Sequence, residues 1–212
     1  VKAGYAEYSP EILKEKPNKK YQGNALYHNL RYRFQYRNQV FAGLTAEKDA
    51  GEPFFTKYNR KGYDSYTGYL FLQNLGRLKT LALGHYRASF GYGLVMNMGF
   101  SMGKSMTLSS MNRKGKGFIK HTSVDEGSYL QGVGATYTLG KRWDLSACYS
   151  FREMDGNVED QFIKSLKTDG YHRLTKDLEK KNSFNNHLIG CNLSYNGKYV
   201  CLLYTSDAAD EA

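Results

Sequence analysis

The sequence predicts an all-β fold, an antiparallel up-and-down meander of the outer-membrane-barrel type that is incomplete. Three observations carry this. Ala25 to Glu47, "ALYHNLRYRFQYRNQVFAGLTAE", alternates strictly, with Arg31, Arg33, Gln35 and Arg37 between Leu30, Tyr32, Phe34 and Tyr36; period two is the signature of a strand. Tyr is abundant at 19 and Pro scarce at 3, as long sheets require, because aromatics suit the pleated surface and Pro breaks the ladder. The connections between alternating segments run short, long, short, long, the asymmetry of turns and loops in an outer-membrane barrel.

The first twenty-four residues, including "EILKEKPNKK", are polar and lysine-rich and read as a linker or loop. A first strand is expected over Ala25–Tyr36, then a tight turn at Arg37-Asn38-Gln39 and a second strand over Val40–Glu47 with Val40, Ala42, Leu44 and Ala46 on one face. A long polar connection leads to a third strand, Ser65–Asn74, a turn at Leu75-Gly76-Arg77 and a fourth strand, Leu78–Ala88. In these two strands both faces are largely apolar, a pattern that also fits burial on both sides.

The next connection reaches Glu126, and its first half, "SFGYGLVMNMGFSMGKS", is apolar enough for a further strand or a segment folded inside. A fifth strand is expected over Ser128–Leu139, and a sixth from Trp143 to Arg152, where Trp143, Leu145, Ala147, Tyr149 and Phe151 alternate with Asp144, Ser146, Cys148, Ser150 and Arg152. A third long connection contains "TKDLEKK", Thr175–Lys181, as a short helix. A seventh strand runs over His187–Tyr195, Asn196-Gly197 is a strong hairpin signal, and an eighth strand begins at Lys198.

Each alternating strand has one apolar and one polar face. A soluble sandwich turns the apolar face to a core; a membrane barrel turns it to lipid and the polar face to a wet lumen. In the membrane reading Leu30, Tyr32, Phe34, Leu145, Ala147 and Tyr149 face lipid, and Arg31, Arg33 and Arg37 line the lumen. The reverse would place three arginines in lipid, at about 2–4 kcal/mol each near the midplane. Trp143, beside a short turn, sits where an interfacial aromatic belt would place it. His28 interrupts the apolar face near the strand end, within reach of the interface.

The last residues need separate treatment. "CLLYTSDAADE", Cys201 to Glu211, is the in-frame translation of a widely used transposon sequencing adapter, so 201–212 reads as an artefact, and the partial barrel domain as 25–200. That tail carries three acidic residues and no base, so the remainder moves from a net charge of +10 to +13. Val1 is not an initiator, so the chain reads as an internal piece of a longer protein. A field this positive suits polyanions, including anionic lipid head groups. Cys148 and Cys191 remain, too few to fix a disulfide or a metal site. No apolar run approaches the ~18–20 residues of a membrane helix.

Motif tests exclude most chemistries. "GFSMGKS" has three residues where a phosphate-binding loop needs four, and Met98 stands at the required glycine. "GYGLVM" lacks the third glycine of a dinucleotide fingerprint, and "KGFIK" departs from an RNA-binding strand at Ile119 and Lys120. His121, His172 and His187 have no metal-ligand spacing, no nucleophile elbow appears, and no catalytic constellation, cofactor motif or metal motif is found. Glu47, Asp49 and Glu52 in "AEKDAGEPF" could bind a divalent cation through their carboxylates, but they lack an EF-hand pattern and read rather as a hydrated loop. Arg113, Lys114, Lys116 and Lys120 in "RKGKGFIK" form a basic loop, suited to solvent, to phosphates or to surface lipopolysaccharide.

"GLTAEKDAGEPF", "FGYGLVMNMGFSMGKS", "TSVDEGSYLQGVGATY", "DGYHRLTKDLEKKNSF" and "GCNLSYNGKY" together resemble the C-terminal barrel region of a Bacteroidota family labelled helix-hairpin-helix domain-containing protein. The resemblance covers most of Gly43–Tyr199. It implies an outer-membrane β-barrel preceded, in full-length members, by helix-hairpin-helix repeats of the kind found in DNA-uptake proteins. No such repeat is present, so DNA as a partner rests on the family label alone, and no catalytic residue is transferred. The expectation is a barrel fragment in the outer membrane of a Gram-negative bacterium, a channel, transport or secretion component with a basic lumen passing anionic solutes. The alternative is a soluble or peripheral β protein binding polyanions such as DNA. A barrel enzyme would need a Ser/His or Asp/His pair facing the lumen.

Overall fold

The computed structural model describes residues 21–57, 59–91, 96–98, 115–124, 127–159, 162–167, 170–196 and the backbone of 201–211. The elements are β1 (His28–Tyr36), β2 (Val40–Lys48), β3 (Ser65–Leu75), β4 (Leu78–Ser89), β5 (Gly117–Lys120), β6 (Leu130–Leu139), β7 (Trp143–Met154), β8 (Gly156–Glu159), β9 (Phe162–Leu166), α1 (Thr175–Glu179), β10 (Phe184–Asn196) and β11 (Cys201–Glu211). One antiparallel sheet runs β1-β2-β3-β4-β6-β7-β10-β11, with β5 paired to the end of β4, and β8–β9 form a separate hairpin. Each main strand lies beside its predecessor, so the meander expected from the alternation is the observed topology. The sheet is open: β1 and β11 each pair on one side only among the described residues.

Short turns gather at one end of the sheet and long connections at the other. Register is carried by apolar pairs, as a half-buried pleat requires. One row passes through Phe34, Ala42, Leu70, Leu83, Val133, Tyr149 and Ile189, each the Cα partner of the next. The next row passes through Tyr36, Val40, Leu72, Leu81, Ala135, Ala147 and Cys191. The opposite face carries Phe71, Ala82, Gly134, Cys148 and Gly190 in register, and then Thr80, Thr136, Ser146 and Asn192.

The core lies on this second, covered face. Phe71, Ala82, Tyr86, Ala88, Met96, Phe118, Leu130 and Cys148 are buried together, with Phe41, Tyr69, Phe90, Met98 and Leu188 packed against them. The described part of the connection after β4 covers it with Phe90, Met96, Met98 and Phe118. Phe90 and Met98 hydrogen-bond back to Met96 and Ala88 through their backbones, and β5 brings in Phe118. Of the two options open for this segment, the described part takes the inward fold and adds β5 to the β4 end. Small residues make room for it: a Cβ at Gly134 would lie 2.8 Å from the Phe118 ring, and one at Gly190 would lie 3.0 Å from Met96 Cε. Tyr86 is fully buried and donates its hydroxyl to the carbonyls of Val133 and Tyr149.

Several boundaries differ from expectation for local reasons. The first strand begins at His28 instead of Ala25, because the preceding residues are engaged by side chains: Lys48 Nζ donates to Leu26 O, and Tyr27 donates to Glu47. The fifth expected strand begins at Leu130. The helix stops at Glu179, opened by the Asp177 carboxylate accepting from the Leu174 N–H. The β8–β9 hairpin, "GNVEDQFIKSL", was not anticipated; its short strands lack a clean alternation. The segment expected from Lys198 is described only from Cys201, where β11 pairs along β10. Gly197, Arg113, Lys114 and residues 1–20 of the polar leader lie outside the described residues.

Candidate functional site

Two features stand apart from ordinary scaffold: a bare apolar face and a charged cluster among the long connections.

The bare face carries the rows through Phe34 and Tyr36. Leu30, Tyr32, Phe34 and Tyr36 are 47–63% exposed, Leu44 53% and Ile189 55%. Ala147, Tyr149, Val133, Tyr137 and Leu139 are exposed too, and Leu145 is half-buried. Neither complete row contains a charged residue. Scattered exposed apolar residues are normal on proteins; a contiguous field is a surface with a partner. Next to these residues in sequence, Ser146, Cys148 and Ser150 are buried, so along β7 the apolar side chains face out and the small polar ones face in.

Aromatic groups mark both ends of the field. At the short-turn end Trp143 packs on Tyr195 with ring centroids 4.8 Å apart, and Arg142 donates to the Tyr195 hydroxyl. At the long-loop end His28 stacks on Tyr63 at 5.3 Å and bonds its hydroxyl at 2.6 Å. The histidine that interrupts the apolar row thus stands at the strand end with a polar partner.

The basic residues divide between the edge strand β1, the β1–β2 turn and β5 with the residues before it. Arg31 and Arg33 oppose Thr45 and Gly43 and share the parity of the covered face, but they stand on the edge strand and are exposed. Arg37 is not in the strand row. It occupies the β1–β2 turn in a left-handed conformation, φ 49°, with its guanidinium 5.3 Å from the Tyr36 ring. Of the basic loop, Lys116 is exposed, whereas Lys120 lies in β5 with Nζ 3.9 Å from the Phe41 ring centroid. It is a partner of the covered face, because pairing of β5 with β4 draws it inward.

The cluster joins connections from opposite parts of the sheet. His172 is 1% exposed. Its Nδ1 lies 2.6 Å from Asp64 Oδ2 and its Nε2 2.9 Å from Asp155 Oδ2. Lys181 Nζ binds the other Asp64 oxygen at 2.8 Å, and the Asn182 N–H reaches Asp155 Oδ1. Glu52, also buried, accepts from the backbone N–H groups of His172 and Asp49. Asp64 and Glu52 come from the β2–β3 connection, Asp155, His172 and Lys181 from the β7–β10 connection. The leader joins them through Gln22 N–H to Arg173 O and Gly23 N–H to Gly51 O.

Electrostatics follow from this geometry. Burial disfavours a charged imidazole, but the hydrogen bonds to Asp155 and Asp64 outweigh it and push His172 up to about 9. Burial likewise opposes ionisation of Asp64 and Asp155, yet the His172 bonds and the Lys181 charge hold both below the usual carboxylate range. Glu52 is pushed up by burial and then by the Asp64 charge, against the two backbone N–H bonds. His172 is therefore an imidazolium clamped between two carboxylates.

Glu52, Asp64 and His172 offer ligand atoms within 4.8 Å of one another, the sort of group that can hold a cation. Here each oxygen and both ring nitrogens already have a donor or acceptor, and two cations sit inside the set. The donor chemistry fits a proton-held clasp better than a metal centre. The Asp/His pairing that an enzyme reading would need is present, but an imidazolium with both nitrogens committed has no lone pair to act as a base. A cleft of about 470 Å³ adjoins the clasp, lined by His172, Lys181, Arg152, Tyr129, Tyr66 and Lys61 among others.

Sequence reasoning missed this cluster. It weighed Glu52 and Asp49 as a hydrated loop, with a carboxylate cation site as the lesser alternative, and His172 only as scattered, since partners 108 and 120 residues apart leave no local spacing. No protein-family model, curated protein or solved structure matches the chain.

Proposed function

We propose that the chain forms part of the wall of an outer-membrane β-barrel, a channel, transport or secretion component of a Gram-negative envelope. The observation that carries the reading is the uncharged apolar field running across seven strands, exposed while a mixed face of aromatic, small and polar side chains is buried behind it. Lipid is the partner whose chemistry suits such a field. Strands of 9–13 residues suit the length of about 9–11 needed to span tilted. Trp143 to Phe151 rises about 26 Å along β7; a tilt of roughly 40° brings this near 20 Å, against an apolar band of about 25 Å. No helix among the described residues is long and apolar enough to cross a membrane, a statement that does not bear on strands.

Exposed Lys116 suits lipopolysaccharide, and Arg31 and Arg33 suit anionic solutes near the β1 edge. The resemblance to the Bacteroidota family supports the same reading through its motifs. The soluble, polyanion-binding alternative draws on Arg31 and Arg33 alone of the three arginines, and it leaves the apolar field in water. The test is extraction of the full-length protein from envelopes. The reading expects release only with detergent and a heat-dependent gel mobility. Clean solubility without detergent would remove it.

A further inference from the structure

The long-loop end of the bare face closes into the cleft beside the clasp. The floor of the cleft comes from the sheet: His85, Gln131 and Phe151 line it and alternate along their strands with the buried Tyr86, Leu130 and Ser150. They therefore continue the bare face two positions beyond Leu83, Val133 and Tyr149, and there its apolar rows give way to polar side chains. The walls come from the two long connections, Lys61 and Tyr63 on one side and Lys181 on the other. The volume, about 470 Å³, is that of a small-molecule site.

Charge on the walls is unbalanced. Asp64 and Asp155 are answered within the clasp by His172 and Lys181, and Lys167 is paired with Asp177. Of the other charged side chains lining the cleft among the described residues, Lys61 and Arg152 are positive and Glu153 is negative. Lys181 spends two of its three N–H groups on Asp64, at 3.0 Å to the carbonyl and 2.8 Å to Oδ1. Its side chain is 30% exposed, which leaves the third N–H for a ligand oxygen. Aromatic rings mark the same border. Phe54 lies 5.3 Å from Tyr63 and Tyr63 5.8 Å from Tyr66, between centroids, and both tyrosines also line the cleft. Rings with a polar tip belong at the level of lipid head groups.

We infer that the cleft holds the phosphate-bearing head group of an anionic lipid, with its acyl chains laid along the bare face. The inference rests on the reading of that face as lipid-facing. Ammonium groups from two separate connections, Lys61 and Lys181, give a phosphate charge-assisted hydrogen bonds. A free phosphate would need only those groups; the continuity of the floor with the rows of Leu83, Val133 and Tyr149 selects a ligand that also carries hydrocarbon. The clasp serves the site by tying the two walls together.

The experiment is native mass spectrometry of the full-length protein in a nonionic detergent, titrated with dioleoyl phosphatidic acid, with dioleoyl phosphatidylcholine and with glycerol 3-phosphate. Phosphatidic acid should bind at least about fivefold more tightly than phosphatidylcholine. Lys61→Glu, at an exposed position, should remove most of that preference, and Lys181→Gln should act in the same direction. Lys141→Glu, in the exposed β6–β7 turn at the other end of the sheet, should leave it unchanged. Equal binding of the two lipids overturns the inference, as does a preference that survives both cleft variants or falls as far in Lys141→Glu. Displacement of bound phosphatidic acid by an equal concentration of glycerol 3-phosphate overturns the lipid assignment in favour of a soluble phosphate. Failure of the lipid-facing reading looks different: the wild-type protein would stay in solution without detergent.

Discussion

Along β7 the two faces of the sheet can be compared one residue apart. Ala147 and Tyr149 are exposed, while Ser146, Cys148 and Ser150 are buried. On the bare face large apolar side chains stand exposed; on the covered face Gly134 and Gly190 leave room for Phe118 and Met96, and Phe118 meets Tyr86 edge to face. Polarity does not decide which side is buried in this chain. Shape does, on the covered face, because packing rewards complementary volumes. Among the described residues nothing covers the bare face, and its composition becomes intelligible when its surroundings are themselves apolar.

The comparison breaks most sharply at the covered face. Phe118→Ala should cost about 3–5 kcal/mol of stability by emptying the middle of the apolar layer, read from denaturant unfolding. On the bare face the contrast is with solvent. Ala147→Arg should cost about 2–4 kcal/mol for protein folded in vesicles and far less for protein folded in water, so the two media should give different answers for the same variant. Equal, small effects in both would move the bare face out of lipid.

The clasp supplies a third prediction, with its sign fixed by the titration. His172 titrates near 9 in the folded chain, against an ordinary 6.5. The stabilisation it confers is therefore complete below about 6.5 and is lost as pH rises through about 9. Asp64 and Asp155 have depressed values, so their contribution is present above 3.8 and is lost as pH falls through those lower values. Hydrogen-exchange protection of the loops around Asp64 and His172, corrected for intrinsic rates, should fall between pH 6.5 and 9. His172→Gln should abolish that pH dependence. Protection that is flat across this range would show that the clasp does not hold the loops. The smallest effect is expected at Lys79–Asp144, where the lysine is more than half exposed; Lys79→Ala should change stability by less than about 1 kcal/mol.

Much of the wall was legible in the sequence because its signal is local. Strict alternation in "WDLSACYSFR" and "RYRFQY" fixes both strand and face, and short turns are announced by Gly76, Gly140 and their neighbours. Two things were not legible. The packing of the covered layer depends on Phe118 meeting Gly134, and on Met96 meeting Gly190, contacts that no window of residues contains. The clasp joins side chains more than a hundred positions apart. Arg37 was legible as the first residue of the Arg37-Asn38-Gln39 turn, and its left-handed φ of 49° is what that turn requires. Periodicity assigns faces but does not say where a strand ends or what lies across from it.

Trp143 is the only tryptophan in the chain, and it stands at the border of the bare face beside a short turn. Its fluorescence in vesicles made with brominated acyl chains measures directly which solvent that face meets. Strong quenching, deepest for bromines near the head groups, is the result this account predicts. Emission unchanged by brominated lipid, and quenched instead by aqueous iodide as fully as free tryptophan, would contradict it.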